Sequence, residues 1–390
     1  MCMNQTNREP VIVAYGRSPV GRARKGSLAT THPVDFAAET LKGVLARVPS
    51  LNPAEIDDVL VGCAQTSGHQ SKNLGRLIAM RAELPVSVSG ATVCRACSSS
   101  LQTIAMAASA IMANQADVVI AGGVESMSLM PMGESDPATL SQWLNQNSSV
   151  YMPMGITAEN VAVKYGVSRQ EMEQMAVESH AKAHAAQISG AFDREIVPIP
   201  VTTPEGNQII MTKDEGIRPE TSLEGLSQLK PCFKEDGQVT AATSSQTSDG
   251  AAFVVLMSSE KAQTLQIKPI GRLVAFAVAG VPAEIMGTGP MAAVPKVLKR
   301  AGMTLDEMDV IELNEAFAAQ AIPCIKELGL DKNKLNPRGG ALALGHPMGA
   351  TGAILTSRAL SYLEDVKGHY ALITMCVGGG MGAAGIIERF

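Results

Sequence analysis

Two apolar runs that end in small residues lie far apart in the chain: ADVVIAGGVESMS at 116–128 and YALITMCVGGGMG at 370–382. A continuous apolar run of this length is typical of a sheet strand that is buried on both faces. Each run follows a segment rich in small apolar residues at helical spacing. The two stretches therefore predict two copies of one unit in which strands and helices alternate.

The spacing between corresponding features of the two copies is nearly constant. Glu55 and Glu307 stand 252 positions apart, and Cys97 and His346 stand 249 apart. Such an offset indicates an internal repeat. We predict buried strands at 56–62, 117–122, 309–313 and 370–376, and helices at 35–47, 98–113, 291–301 and 350–363.

The segment 126–247 has no counterpart in the second copy. It is richer in polar residues, Met and Pro, and it contains a predicted helix of its own at 169–188. We interpret it as an inserted loop domain that covers the site. The predicted organisation is therefore an N-terminal half of 1–125 plus 248–268, the insert 126–247, and a C-terminal half of 269–390.

The composition fits a compact α/β enzyme and excludes several other classes. The chain has 390 residues, of which 46% are hydrophobic and 18% charged. A net charge of −5 and an aromatic content of 3% argue against nucleic acid as a partner. No membrane span and no signal peptide are predicted. Seven cysteines without a secretion signal indicate a reducing compartment, and we expect a cytoplasmic location.

Three short motifs carry groups suited to acyl transfer. They are Cys97 in CRACSSSLQ, His346 in GGALALGHPMGATG, and Cys376 in CVGGGMG. Cys97 precedes a predicted helix, whose N-terminus is expected to lower the pKa of the thiol. His346 stands in a glycine-rich loop where it could accept the Cys97 proton. Cys376 ends a strand and is a candidate proton shuttle of near-neutral pKa. For each of these residues alone, a structural role is the alternative interpretation.

Two further patterns have weaker functional interpretations. Gly380, Gly382 and Gly385 match a dinucleotide-binding spacing, but the chain ends too soon for the helix that such a site requires. His180 and His184 are four residues apart on a predicted helix, and a solvated face is favoured over a metal site. We therefore predict no metal and no permanently bound cofactor.

The motifs resemble those of the thiolase family along the whole chain. Besides the three motifs above, the matching stretches include MPMGITAENVA, DEGIRPETSLEGL, SSQTSDGAA, MGTGP and IELNEAFAAQ. The resemblance implies a five-layered fold with two similar five-stranded α/β halves and a loop domain. It also implies coenzyme A as a co-substrate.

The resemblance assigns a role to each candidate residue. Cys97 carries the acyl group, His346 activates it, and Asn314 holds a water beside the thioester oxygen. Cys376 moves the proton at the α-carbon, and the main-chain N–H groups of Cys97 and Gly378 form an oxyanion hole. The remaining assignments concern substrate binding: coenzyme A contacts at Arg218 and Ser245, and an acyl-pocket wall at Met154.

The chain departs from the family pattern close to the expected site. Cys94 stands where the family usually has Asn, and Ala96 where it has a larger apolar residue. Ala242-Thr243 replaces Gly-Asn, and Arg338 replaces the second Asn of N-x-N-G-G. Cys94 also forms a C-x-x-C spacing with Cys97, and a tolerated packing substitution is favoured over a redox pair.

The stretch MPMGITAENVA resembles degradative 3-ketoacyl-coenzyme A thiolases, because biosynthetic members generally have His at the position of Pro153. This favours cleavage of 3-ketoacyl-coenzyme A to acetyl-coenzyme A and a shortened acyl-coenzyme A. Two alternatives remain: a biosynthetic acetoacetyl-coenzyme A thiolase, and a catalytically weak subunit that binds coenzyme A. A homodimer is expected, with a homotetramer or a β-oxidation multienzyme partner as further options.

Overall fold

A computed structural model describes residues 8–130 and 140–390. The strands in this part of the chain are β1 Pro10–Arg17, β2 Gly21–Arg22, β3 Asp58–Gly62, β4 Ala91–Val93, β5 Val118–Ser126, β6 Ile199–Thr202, β7 Gln208–Met211, β8 Ser248–Ser258, β9 Gly271–Gly280, β10 Val310–Leu313, β11 Tyr370–Val377 and β12 Met381–Arg389. The helices are α1 Pro33–Leu45, α2 Leu74–Arg81, α3 Ser99–Met112, α4 Gln142–Asn147, α5 Met154–Tyr165, α6 Arg169–Ile188, α7 Leu223–Ser227, α8 Ser259–Thr264, α9 Gly289–Ala301, α10 Ala318–Leu328, α11 Ala341–Leu344 and α12 Met348–Val366.

The large sheet contains the same strand pattern twice. In the first half β3 runs parallel to β5, β5 antiparallel to β8, and β8 antiparallel to β1. In the second half β10 runs parallel to β11, β11 antiparallel to β12, and β12 antiparallel to β9. The halves join where Ile12 of β1 pairs with Gly271 of β9. The repeat predicted from the spacing is therefore present as a repeated topology.

Helices separate and cover the two halves of the sheet. Helices α1 and α2 pack on the outside of the first half, and α9 and α10 lie on the outer side of the second. Helices α3 and α12 pack against each other and against strands of both halves. Their apolar residues form one buried cluster with side chains from both halves, including Leu101, Ile104, Ile354 and Leu360. This gives the predicted five layers, with α3 and α12 in the middle.

The two halves differ at one sheet edge. The first half ends in β4, which pairs in parallel with β3 through Leu60 and Ala91. Among the described residues of the second half, no full strand takes the place of β4. At this edge Leu335 alone pairs with β10, through one parallel bridge to Ile311. The second half therefore has four full strands and one residue of a fifth, instead of the expected five.

The insert is attached to the first half through a buried ion cluster. The Arg17 guanidinium donates to Glu195 at 2.8 Å and to Asp214 at 2.7 Å, and all three side chains are buried. Helix α6 begins at its predicted residue because Ser168 and Glu171 form a capping box. Residues 131–139 of the predicted insert lie outside the described part of the chain. None of the described helices is long and apolar enough to cross a bilayer.

Candidate active site

The N-terminal ends of the two central helices, α3 and α12, lie against each other. Ser100 Oγ accepts a hydrogen bond from the Ala353 N–H at 2.9 Å. A Cβ on Gly352 would lie 2.4 Å from the main-chain nitrogen of Leu101, so only glycine allows this approach. Cys97 lies just before α3, and His346 just before α12. The repeat therefore places the two predicted groups at the ends of two neighbouring helices.

Cys97 lies in a tight turn that leads directly into α3. The turn spans Ala96–Ser98, and Ala96 has a φ of 42°, a left-handed conformation that is strained for a residue with a side chain. The thiol is buried, and the main-chain N–H groups of Gly378 and of Cys97 itself lie near enough to the sulfur to favour its thiolate form and so to lower its pKa. The two predicted oxyanion donors therefore converge on the predicted nucleophile.

The pKa of Cys97 differs from the sequence-based expectation. Burial raises the pKa to about 11, and the N–H groups of Gly378 and Cys97 oppose this shift only in part. We expected the helix terminus to lower it. The desolvation of a buried thiolate outweighs the helix terminus here, so Cys97, the predicted nucleophile, rests as a neutral thiol. It needs a base before it can attack.

His346 is held in the form that can act as this base. Its Nδ1 lies 2.6 Å from Thr351 Oγ1, and Thr351 donates its own hydroxyl proton to the Pro347 carbonyl. Nδ1 therefore carries the imidazole proton, and Nε2 presents a lone pair. Burial lowers the pKa of His346 to about 4, so the ring is neutral at pH 7. Asn314 Nδ2 lies 3.3 Å from Nε2.

Asn314 also presents an uncommitted acceptor. Its side chain is buried, and no described residue donates a hydrogen bond to its Oδ1. A buried amide oxygen without a donor is costly unless water or substrate fills the role. This agrees with the water that the thiolase resemblance places at Asn314.

Cys376 lies beside the nucleophile in a small apolar cluster. It is fully buried with Met286 and Ala316, and Met154 packs against the same cluster. Burial raises the pKa of Cys376 well above its ordinary value, and a charge on Cys97 would raise it further. The raised pKa of Cys376 differs from the near-neutral value expected from the sequence. Two neighbouring thiolates repel each other, so Cys376 stays protonated while Cys97 is charged. A proton donor beside a thiolate would need this property.

A buried carboxylate that the sequence analysis missed connects the loop after β3 to the start of α12. Glu125 accepts hydrogen bonds from the N–H groups of Ala64 at 2.8 Å and Gly349 at 2.8 Å. It also accepts one from Gln70 Nε2 at 2.6 Å. Burial raises the pKa of Glu125. The sequence could have pointed to Glu125, because it lies inside the apolar run ADVVIAGGVESMS and a carboxylate in a buried strand needs several hydrogen-bond donors.

A second missed pair positions Asn314. The Asn336 side chain accepts from the Leu313 N–H at 2.9 Å and donates to the Leu313 carbonyl at 2.9 Å, as a neighbouring strand would. It also donates to Glu315 at 2.8 Å. Glu315 in turn accepts from Ser179 Oγ at 2.7 Å, which links α6 to the site. Asn336 therefore fixes the end of β10, where Asn314 stands.

The predicted coenzyme A residues lie between the surface and His346. Arg218 is exposed, and its N–H donates to His180 Nδ1 at 3.0 Å. Ser245 is half-buried and donates its N–H to the Ala316 carbonyl at 2.9 Å. Gln246 joins the two segments, because its side chain donates to the Gly216 carbonyl at 2.8 Å. Its own carbonyl accepts from the His346 N–H at 3.2 Å.

The departures from the family pattern have local structural explanations. Arg338 is buried, donates to Ser361 Oγ at 2.9 Å, and lies over the Tyr362 ring at 5.4 Å. It therefore packs on α12 and makes no hydrogen bond to a predicted catalytic side chain. Thr243 caps a short turn through the Thr240 N–H at 2.9 Å.

The structure also shows where the histidine pair and the glycine spacing, the two patterns with weaker functional interpretations, lie in the fold. His180 is buried as an acceptor for the Arg218 N–H, which is a structural role rather than the solvated face expected for it. Gly382 lies in β12, where a Cβ would meet the Gly289 carbonyl oxygen at 2.0 Å. Within residues 8–130 and 140–390, no three His, Cys, Asp or Glu side chains are grouped as a metal would need.

Comparison with known proteins identifies the family. The N-terminal thiolase domain model matches residues 10–260, and the C-terminal thiolase domain model matches residues 267–389. The protein belongs to the thiolase family. The predicted family and the α/β thiolase fold are thereby confirmed.

Similar thiolases span nearly the same length. The chain is 47% identical to a 3-ketoacyl-CoA thiolase of Bacillus subtilis over 98% of this chain and 99% of that protein. It is 45% identical to a β-ketoadipyl-CoA thiolase of Acinetobacter baylyi over 97% of this chain and 98% of that protein. The crystal structure of Bacillus anthracis acetyl-CoA acetyltransferase superposes with a TM-score of 0.92 at 37% identity, covering 99% and 100% of the two chains.

Proposed function

We propose that this thiolase cleaves 3-ketoacyl-coenzyme A with coenzyme A, giving acetyl-coenzyme A and an acyl-coenzyme A two carbons shorter. The observation that carries the proposal is the convergence on Cys97. A buried thiol, two N–H donors from Cys97 and Gly378, and a second thiol at Cys376 occupy one place. The similarity to 3-ketoacyl-CoA thiolases supports this reaction and the predicted acyltransferase class.

In the first half-reaction His346 Nε2 takes the Cys97 proton, and the sulfur attacks the 3-keto carbon. The resulting alkoxide lies where the N–H groups of Cys97 and Gly378 stabilise it. The bond between the second and third carbons then breaks. The electron pair moves onto the thioester as an enolate, whose oxygen faces protonated His346 and the water at Asn314. Cys376 protonates the α-carbon, and acetyl-coenzyme A leaves.

In the second half-reaction the Cys376 thiolate takes the proton of the incoming coenzyme A thiol. The coenzyme A sulfur attacks the acyl carbonyl on Cys97, and the same two N–H groups stabilise the tetrahedral oxyanion. Its collapse breaks the bond between the acyl carbon and the Cys97 sulfur and releases the shortened acyl-coenzyme A. Protonated His346 returns its proton to the Cys97 thiolate, which restores both neutral groups. The neutral resting states of Cys97 and His346 suit this sequence, because each proton is transferred only when a substrate atom takes part.

Direct assay of the purified protein tests the reaction. Acetoacetyl-coenzyme A plus coenzyme A should yield two acetyl-coenzyme A, and longer 3-ketoacyl-coenzyme A should yield acetyl-coenzyme A plus the shortened product. Cys97→Ala provides the matched control without a nucleophile. A folded wild-type protein that cleaves none of these substrates would refute the proposal and favour the weak coenzyme A-binding subunit.

The same assay separates the possible substrate classes. We propose the degradative, broad-chain reaction over acetoacetyl-coenzyme A synthesis, since Pro153 stands where biosynthetic members have His. The similarity to β-ketoadipyl-CoA thiolases adds 3-ketoadipyl-coenzyme A to the series. Met154 lies near Gly378, where a Cβ would approach its sulfur at 3.9 Å, so Met154→Ala should shift the preferred acyl length.

We also propose the organisation predicted from the sequence. The insert 126–247 binds coenzyme A between halves 1–125 plus 248–268 and 269–390, which fits the positions of Arg218 and Ser245. A homodimer would cover the edge strand β4 and the nearby exposed side chains Leu77, Met80 and Val86. Light scattering tests the dimer. The cytoplasmic location and the multienzyme partner remain predictions.

A further inference from the structure

The loop after β1 carries three cations within four residues. Arg22, Arg24 and Lys25 are all exposed. None of the three forms an ion pair with a carboxylate in the described part of the chain. Like charges this close repel one another, so the loop favours an anion beside it.

Glu215 fixes the shape of this loop. Its carboxylate accepts hydrogen bonds from the N–H groups of Arg22 at 3.1 Å and Ser27 at 3.0 Å, and from Ser27 Oγ at 2.5 Å. A Cβ on Gly26 would lie 2.1 Å from a Glu215 oxygen, so the turn closes tightly on the carboxylate. Glu215 thus binds main-chain groups and leaves the cationic side chains of the loop free.

The loop lies between the two segments predicted to bind coenzyme A. Arg22 pairs with Ser248 in the sheet, and the Ala23 N–H donates to the Thr247 carbonyl at 3.0 Å. On the other side, Arg218 follows Glu215 by three residues. Burial lowers the pKa of Arg218, and the positive charge of Arg22 lowers it further, as expected of two nearby guanidinium groups.

We propose that Arg22, supported by Arg24 and Lys25, forms with Arg218 the binding site for the 3′-phosphate of coenzyme A. The inference rests on the proposed function, which requires the thiol end to reach buried Cys97 and leaves the nucleotide end at the surface. The 3′-phosphate is a terminal monoester with three free oxygens. Two guanidinium groups can therefore bind it in the bidentate manner typical of arginine and phosphate.

The test compares coenzyme A with 3′-dephospho-coenzyme A, which differs only in this phosphate. For Arg22→Gln the KM for coenzyme A should rise about fivefold, as for the loss of one exposed charge pair. For Arg22→Gln/Arg24→Gln/Lys25→Gln it should rise about tenfold. The KM for dephospho-coenzyme A and the kcat for both should stay unchanged. Lys299→Gln, which removes an exposed cation on α9, is the control and should have no effect.

Calorimetric titration of Cys97→Ala with both compounds measures binding without turnover. It therefore keeps this inference separate from the proposed reaction. Equal losses of affinity for the two compounds in the loop variants, or no loss for either, would overturn the inference. A wild-type protein that binds both compounds equally would also overturn it, because the 3′-phosphate would then add nothing to the affinity. Failure of 3-ketoacyl cleavage with intact phosphate discrimination would refute only the proposed function.

Discussion

The two halves of this thiolase are alike at one end of their strands and different at the other. At the N-terminal ends, Asp57 accepts the N–H groups of Asp117 and Val118 at 2.7 and 3.0 Å. Asp309 accepts those of His369 and Tyr370 at 2.7 and 2.9 Å.

At the opposite ends, the loop before α3 presents Cys97 and the loop before α12 presents His346. The repeat has kept the residues that fix strand geometry and changed those that perform chemistry. One scaffold would thus supply both the proposed nucleophile and its proposed base, a division that substitutions at the two ends can test.

The largest expected effect is at the nucleophile. Cys97→Ser should lower kcat about a thousandfold or more, because neutral His346 is too weak a base to activate an alcohol as it activates a thiol. Steady-state cleavage of acetoacetyl-coenzyme A measures the loss. Cys94→Ser, three residues away at an exposed thiol, is the matched control and should remain close to wild type. Substantial cleavage by Cys97→Ser would end the assignment of Cys97.

A selective effect is expected at the second thiol. Cys376→Ala should block carbon–carbon cleavage more than acyl exchange between acetyl-coenzyme A and labelled coenzyme A. Protonation at carbon needs the Cys376 thiol and leaves it as the thiolate that receives the coenzyme A proton. In exchange no carbon is protonated, so the proton that His346 takes from Cys97 can pass to the leaving coenzyme A sulfur and back. The buried Cys324→Ala serves as the control for loss of a core thiol. Equal losses in both half-reactions would give Cys376 a structural role.

The neutral imidazole of His346 predicts a pH dependence of stability. Its pKa is about 4 when folded and near 6.5 when unfolded, so the unfolded state binds more protons between these values. Its contribution is complete above about pH 6.5 and is lost as the pH falls towards 4, by roughly 3 kcal/mol. Denaturant titrations of wild type and His346→Gln should show a shallower decline for the variant. Parallel curves would contradict the buried neutral form.

Asp57 and Asp309, which hold equivalent positions in the two halves, predict a smaller and equal effect on stability. Asp57→Ala and Asp309→Ala each remove an acceptor for two main-chain N–H groups at an exposed position. Each should lower the free energy of unfolding by about 1 to 2 kcal/mol and leave kcat unchanged. Urea denaturation and the cleavage assay measure the two quantities. Clearly unequal losses would show that the two ends are not equivalent.

The smallest expected effect concerns oxidation in the first half. Cys94 follows β4 opposite Cys63, which follows β3, and Cys97 lies three residues further on. Peroxide would convert one thiol to a sulfenic acid with release of water, and a neighbouring thiol would displace a second water to form a disulfide. Mild peroxide should therefore inactivate reversibly, and Cys94→Asn should recover less activity with dithiothreitol. Identical recovery would leave Cys94 as a packing substitution.

Sequence reasoning succeeded where the pattern is local. Continuous apolar runs predicted the buried strands, and helix α6 was predicted with its ends at 169 and 188. The repeat followed from a spacing that one chain displays by itself. It failed where partners come from distant segments. The carboxylate of Glu125 inside an apolar run signals a need for donors, but nothing in that run identifies Gly349 as one of them. The bond between Asn336 and Leu313 likewise joins segments that the sequence does not connect.

The pKa values of the two thiols show the same limit. A helix start is visible in the sequence at Cys97, and it suggests a lowered pKa. The burial of Cys97 and Cys376 between the two halves is visible only in the fold, and it dominates. The sequence thus nominates Cys97 and Cys376 as candidate reacting groups, which stay predictions, and their burial in the fold favours the neutral thiols.

The most direct test of the account is to find the residue that carries the acyl group. The protein is incubated with acetyl-coenzyme A in the absence of free coenzyme A, quenched in acid, digested, and its peptides are sequenced by mass spectrometry. The account predicts one acetyl group on Cys97, removed when coenzyme A is added before the quench and missing in Cys97→Ala. An acetyl group on Cys94 or Cys376, or no coenzyme A-reversible adduct at all, would contradict it.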